Sequence, residues 1–342
     1  MTLRATLIPL TLLLSLFYFG KAQAGVSTAP LIYRPNAIGS DATFNPLSHY
    51  LNLAFDTTQN PFWFSQSAYF SNHGVLWNRI RDPFEAIEAQ GGFGKFLSEE
   101  VYGIRATPNY TLHLLGGGYD YRWLAEWYEA NRVPHAYLLA FLTSYLANIG
   151  NEAVETTGSQ VTTNDHIADL FLFDIVGKLM FLNDAVVRFL HDTMQMRAWH
   201  FQPMLNLRYL RIDNAGSNYI FRPRLFGDTF RPFIHMGLTL LGGVSWRCTA
   251  DDSFTVAGGV APTDPLAFEG DPIAGFYWDR ADSLLASMTL NGSSNLAVRL
   301  NIYPDVVSVA DLKTGIFFAY SKANEVSFGL SIHMPAGVSG SF

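Results

Sequence analysis

The sequence predicts a mainly β fold: an outer-membrane antiparallel β-barrel of roughly 8 to 12 strands with an inserted α-helical hairpin. Three observations point there. The C-terminal half alternates apolar with polar or small residues, the composition is unusual for a chain surrounded by water, and the N-terminus reads as an export signal. The chain is 49% hydrophobic and 15% aromatic but only 15% charged. Soluble domains average about 25% charged residues. The formal net charge of −7 argues against nucleic acid as a partner, since that needs a basic footprint to displace phosphate counterions. Cys248 is the only cysteine, so no internal disulfide forms, and it reads as a small filler in a strand region.

Residues 1–24, "MTLRATLIPLTLLLSLFYFGKAQA", carry Arg4, an apolar run from Leu7 to Phe19 and Ala22-Gln23-Ala24. That is the layout of a secretory signal peptide with its small-residue cleavage site, and the apolar run is short for a membrane anchor. Residues 25–120 contain short alternating runs, "HYLNLAFD" from His49 and "YTLHLLGG" from Tyr110. A period of two predicts short strands and loops there.

Residues 121–200 change period and predict a helical hairpin. "PHAYLLAFLTSYLANIGNEAVE" opens with Pro134, which suits a first helical turn, and spaces Ala136, Ala140, Ser144 and Ala147 as one small, approachable side. Thr162 and Asp165 have capping-box spacing and start the second helix. On a wheel of 100° per residue its apolar residues, Phe171, Leu172, Ile175, Leu179, Leu182, Val186, Phe189 and Leu190, share a sector about 100° wide. Asp174, Lys178, Arg188 and Asp192 form one charged stripe, with Asp174–Lys178 and Asp184–Arg188 as i,i+4 pairs. Asp165 and Asp169 lie on another, His166 at its edge. The apolar face is expected to be buried and the charges to face water.

Residues 201–342 return to period two. "SNLAVRLNIY" places Leu296, Val298, Leu300 and Ile302 opposite Arg299 and Asn301, and "NEVSFGLSIHM" places Phe328, Leu330, Ile332 and Met334 opposite Ser327, Gly329, Ser331 and His333. Turn-rich pieces such as "DNAGSN" and "LNGSSN" divide the runs. A periplasmic β-sandwich would alternate similarly. The barrel is favoured because Phe342, last after an alternating strand, resembles the assembly signal on outer-membrane barrels, and because neither helix is a comfortable membrane span. "PAGVSGS" interrupts the alternation just before Phe342.

The run "HIADLFLFDIVGKLMFLND", with Ile167, Asp169, Leu170, Gly177 and Asn183-Asp184, resembles the motif of an uncharacterised family of Gram-negative outer-membrane proteins. There an Asp, with Gly eight residues later, precedes a run of strands. Glu152 matches an acidic residue upstream. The resemblance is confined to about residues 135–192 and departs at His166 and Asp174, where the family tends to have Ser and Pro. It implies the cell outer membrane and a helical segment before a β-barrel, and no activity.

Glu152, Asp165, His166 and Asp169 are the candidate site, since a turn between antiparallel helices can gather them and His with carboxylates can serve as a general base or a ligand set. No HExxH or Cys/His spacing reinforces them, so no metal or cofactor is assigned, and capping of the helix beside lumen water is the favoured role. There is no GxSxG, and "LLGGGYDY" lacks a phosphate-loop pattern and reads as a strand end. His73, His113 and His235 read as strand or loop residues facing a polar interior. The sequence therefore favours a structural or transport barrel, with outer-membrane lipid and the barrel assembly machinery as partners. The alternative is an outer-membrane enzyme acting on lipid or envelope substrate through the His/carboxylate cluster.

Overall fold

Helices fill the chain up to Thr193 and strands fill it from Arg197 onward in the computed structural model. It describes residues 30–58, 64–103, 106–225, 227–264, 269–292, 296–309, 311–322 and 325–342. The signal peptide expected at 1–24 lies outside the described residues.

The strands expected in residues 25–120 are helices instead. "HYLNLAFD" lies in α1 (Pro46–Ala54), where Asn45 and Ser48 form a capping box and Pro46 occupies the first turn. Those signals sit just upstream of the alternating run and outweigh a period of two seen over eight residues. α2 spans Tyr69–Ile80, so His73 is helical. "YTLHLLGG" forms a π-helical turn, Asn109–Gly116, that runs directly into α3 (Gly117–Ala130). The glycines read as a strand end are inside this helix because neighbours press on it. A Cβ on Gly116 would meet the Tyr219 ring and one on Gly118 the Phe181 ring.

α4 (Ala136–Glu155) follows, and its small side is packed as expected: Ala136, Ala140, Ser144 and Ala147 are all buried. The helical part is thus a bundle of several helices and not a two-helix hairpin. No helix among the described residues is long and apolar enough to cross a membrane.

The expected second helix is divided. α5 (Thr163–Ile167) is capped by Thr162, whose side chain accepts from the Asp165 N–H at 3.3 Å. A π-helical turn, Ala168–Phe173, leads into α6 (Asp174–Phe181), and Asn183 then caps α7 (Asp184–Arg188). Within the π turn the Asp174 N–H bonds the Asp169 carbonyl, five residues back instead of four. The extra residue rotates everything downstream by about one position, so a wheel of constant 100° fails here. The upstream charges of the two stripes, Asp169, Asp174 and Lys178, share the inward side, while Arg188 and Asp192 stay exposed. Asp169, Asp174 and Lys178 are at most 4% exposed, whereas Phe171 and Leu179 are each 38% exposed and Phe189 55%. The expected burial of the apolar face holds at Leu190 and in part at Leu172, Ile175, Leu182 and Val186, which pack against the core, and fails at Phe171, Leu179 and Phe189.

Among the described residues the strands make one large, mostly antiparallel sheet of 13 strands, beyond the 8 to 12 expected. They are β1 (Arg197–Ala198), β2 (Met204–Asn206), β3 (Arg211–Asp213), β4 (Tyr219–Phe221), β5 (Phe230–Met236), β6 (Leu240–Arg247), β7 (Asp252–Asp264), β8 (Glu269–Arg280), β9 (Ser283–Asn291), β10 (Val298–Val309), β11 (Leu312–Tyr320), β12 (Val326–Ser331) and β13 (Gly337–Ser341). From β4 to β13 each strand pairs with its neighbour in sequence. β13 then pairs in parallel with β2, and β1 and β3 are the two ends of the sheet.

Side chains alternate across this sheet in the sense the sequence indicates. On one face Val244, Trp246, Phe254, Val256, Leu330 and Val338 are exposed, and on the other Ser245, Ser253, Thr255, Arg299, Asn301 and Ser331 are buried. The wall formed by β1 and β4 is covered on both sides. Trp199 and Ile220 join Phe233 and Tyr277 in a cluster on the buried face of the sheet, while Ala198, Tyr219 and Phe221 pack with Tyr119, Trp123 and Phe181 of the helices.

Candidate functional site

Polar groups converge in the bundle because its helices present charged faces to one another. Glu152 ends α4, fully buried, and its Oε2 lies 2.6 Å from His166 Nδ1 on α5. Arg79 of α2 approaches the opposite ring nitrogen, with Nη1 2.9 Å from His166 Nε2. A guanidinium can only donate, so Nε2 accepts and Nδ1–H donates to Glu152. Burial lowers the His166 pKa to about 4, with Arg79 adding to the effect against an opposing pull from Asp165. The imidazole is thus neutral at physiological pH, as the hydrogen-bond chain requires.

Asp169 starts the π turn beside this pair, and its Oδ2 is 3.7 Å from His113 Nε2. Burial, and secondarily Lys178, lowers His113 to about 4. Burial pushes the carboxyls of Glu152 and Asp169 well up, and mutual repulsion with Asp165 and Glu100 reinforces it. Three of the sequence candidates, Glu152, His166 and Asp169, thus come together. Asp165 is buried nearby and contributes its charge. His113 and Arg79 complete the cluster and were not singled out. A period-two reading placed His113 on a strand, and nothing local marks Arg79, which acts from 87 residues away.

Lys178 pairs with Asp174 as expected from their spacing, but the pair is buried, and Asn148 donates to the same carboxylate. The Lys178 Nζ lies 5.6 Å and 5.7 Å from the Phe141 and Tyr145 ring centroids, so α4 supplies a cation–π floor. Asp184 does not pair with Arg188. It receives Arg122 at 2.8 Å instead, and Arg122 also holds Glu126 at 2.7 Å.

A second buried network joins helices to sheet. Asp120 of α3 accepts from Tyr219 Oη at 2.9 Å and from His200 Nε2 at 3.0 Å, with His49 Nδ1 at 3.3 Å. The Asn218 N–H donates to His200 Nδ1 at 3.1 Å, which fixes the tautomer. Burial works to raise the Asp120 pKa, but His200 and His49 outweigh it and hold the carboxyl below the usual range. A third network sits on the buried face of the sheet. Arg222 bonds Asp279 and Asp282, each at 2.7 Å, and Arg197 bonds Asp282 at 3.0 Å. His235, expected on a polar interior, is a buried strand residue.

A pocket of about 410 Å³ lies between the bundle and the sheet, lined by Phe64, Gln66, Ile212, Asn214, Phe317 and Ser327 among others. A smaller cavity of about 40 Å³ is lined by Trp199, Tyr277, Ser287, Arg299 and Asn301 among others. That is room for about one or two waters. Chemically, then, the chain offers buried, mutually hydrogen-bonded carboxylates and imidazoles in its bundle and a buried Arg/Asp network on its sheet. No protein-family profile, no curated protein and no solved structure matches this chain.

Proposed function

We propose that the chain is an outer-membrane barrel of structural type whose sheet closes on itself, with the helical bundle packed on the outside of one wall and presenting an apolar face to lipid. The observation that carries this reading is the burial pattern of the sheet: large apolar side chains are exposed on one face and polar ones are buried on the other, with Phe171 and Leu179 of the bundle exposed as well. In water such a surface costs roughly 25 cal/mol per Å² of apolar area, and in lipid it costs nothing. A soluble sandwich would bury the apolar face of its sheet.

Closure rests on register. Arg197 pairs with Ile220, and Met204 with Asp213. Seven steps forward on one side match seven steps back on the other, so both pairs belong to one hairpin. Trp199 N–H to the Asn218 carbonyl at 2.8 Å and Phe201 N–H to the Gly216 carbonyl at 3.0 Å continue the same ladder. On this reading β1 and β2 are one strand and β3 and β4 another, and the two ends of the sheet meet. The count falls from 13 to eleven, and an odd count requires one parallel seam, supplied by β13 and β2.

The enzyme alternative draws on the Glu152–His166 pair, which has the geometry of a positioned base. Both side chains are fully buried, which favours the structural reading over one that needs substrate contact.

Fractionation of expressing cells tests the proposal. The chain should sediment with outer membranes and migrate faster unboiled than boiled on a detergent gel. A folded chain in the soluble fraction, with identical migration before and after heating, would overturn it.

A further inference from the structure

His113, Glu152 and Asp169 come from three separate helical segments, and one potential ligand atom from each lies within 4.8 Å of the others. We infer that these three side chains bind a single divalent cation of the borderline class, such as zinc, as a structural centre of the bundle. A set of one imidazole and two carboxylates suits that class, being harder than thiolate sites and softer than all-oxygen cages.

A second observation points the same way. Glu152 Oε1, Asp169 Oδ1 and His113 Nδ1 are buried without a hydrogen-bond partner, and Glu152 and Asp169 are each more than nine-tenths buried. Orphaned carboxylate oxygens in a core cost about 1–3 kcal/mol each, more when charged. A dication at their meeting point would satisfy them and neutralise the pair.

The surroundings are those of a ligand set held in place. Arg79 donates to His166 and His166 donates to Glu152, leaving the other Glu152 oxygen for the ion. His166 is thus a positioning residue, in the outer-shell role that orients a ligating carboxylate. His113 and Asp169 both lie in π-helical turns. Such turns are rare and gather at functional sites. The inference does not depend on the membrane reading, since the cluster is enclosed by the bundle alone.

The test uses the untagged full chain folded in detergent micelles, stripped with a chelator and then titrated with Zn²⁺ or Co²⁺. Wild type should retain one ion per chain after gel filtration, and Co²⁺ should give visible absorption that Zn²⁺ removes. Asp169→Asn and His113→Gln should abolish retention. His166→Ala should keep the stoichiometry of one while weakening affinity about 10–100-fold. Folded wild type that retains no ion and gives no Co²⁺ band overturns the inference, whether or not the variants fold. So does folded Asp169→Asn that retains the ion as wild type does. Failure of the membrane proposal would show in fractionation and leave these readings unchanged.

Discussion

Single residues in this chain carry unusual weight because so many polar groups are enclosed. Asp120 holds Tyr219, His200 and His49 together across the junction of bundle and sheet. Asp120→Ala leaves three buried partners unpaired and is expected to cost about 3–5 kcal/mol. Urea unfolding of the detergent-solubilised chain, followed by loss of heat-modifiable migration, measures it. Asp56 gives a pH-dependent counterpart. Burial raises its pKa to about 7 against opposing hydrogen bonds from Thr57 and Asn151. A carboxyl with a raised folded pKa binds its proton more tightly in the native state, so stability falls as pH climbs from about 4 to about 7. Asp56→Asn removes the penalty. Its melting temperature should exceed that of wild type at pH 8, with the gap narrowing toward pH 5.

At the scale of elements, caps were legible and helical phase was not. Thr162 starts α5 as its spacing indicates, and the small side of α4 is buried. The pattern after Asp169 misled because a wheel assumes one residue per 100°, and nothing in the letters announces a π turn. The charges of Asp174 and Lys178 were expected in water and are buried instead because they satisfy each other, with Asn148 and the Phe141 and Tyr145 rings from α4 around them. For the N-terminal third, alternation over eight residues could not arbitrate between strand and helix, and the capping box at Asn45 and Ser48 did. Gly118 shows how closely the helices approach. Gly118→Ala would push a methyl into the Phe181 ring and the Gly177 carbonyl, and overpacking of this kind costs about 1–3 kcal/mol. A lowered urea midpoint checks it. The apolar face of α6 makes the opposite demand, because Leu179 is exposed. Leu179→Asp should leave the fold intact and reduce co-sedimentation of the chain with lipid vesicles.

For the whole molecule, the C-terminal half was the most legible part. The alternation in "SNLAVRLNIY" and "NEVSFGLSIHM" appears as the two faces of β10 and β12. Strand pairing was not legible, because the hairpin from Arg197 to Phe221 is broken by irregular backbone and its parallel partner, β13, lies more than 130 residues away. That seam can be tested directly. Leu205 and Val338 are register partners on the exposed face. Cysteines at both positions, in a Cys248→Ser background, should form a disulfide on mild oxidation. Failure to cross-link in the folded state would argue against the seam.

The central claim is that the exposed side chains of the sheet meet lipid and the enclosed ones do not. Nitroxide labels placed one at a time from Ser253 to Val260 along β7, in reconstituted vesicles, measure it most directly. The account predicts that collisions with oxygen peak at Phe254, Val256, Gly258 and Val260 while a water-soluble nickel complex is excluded from them. Free access of the nickel complex to those four positions would contradict it.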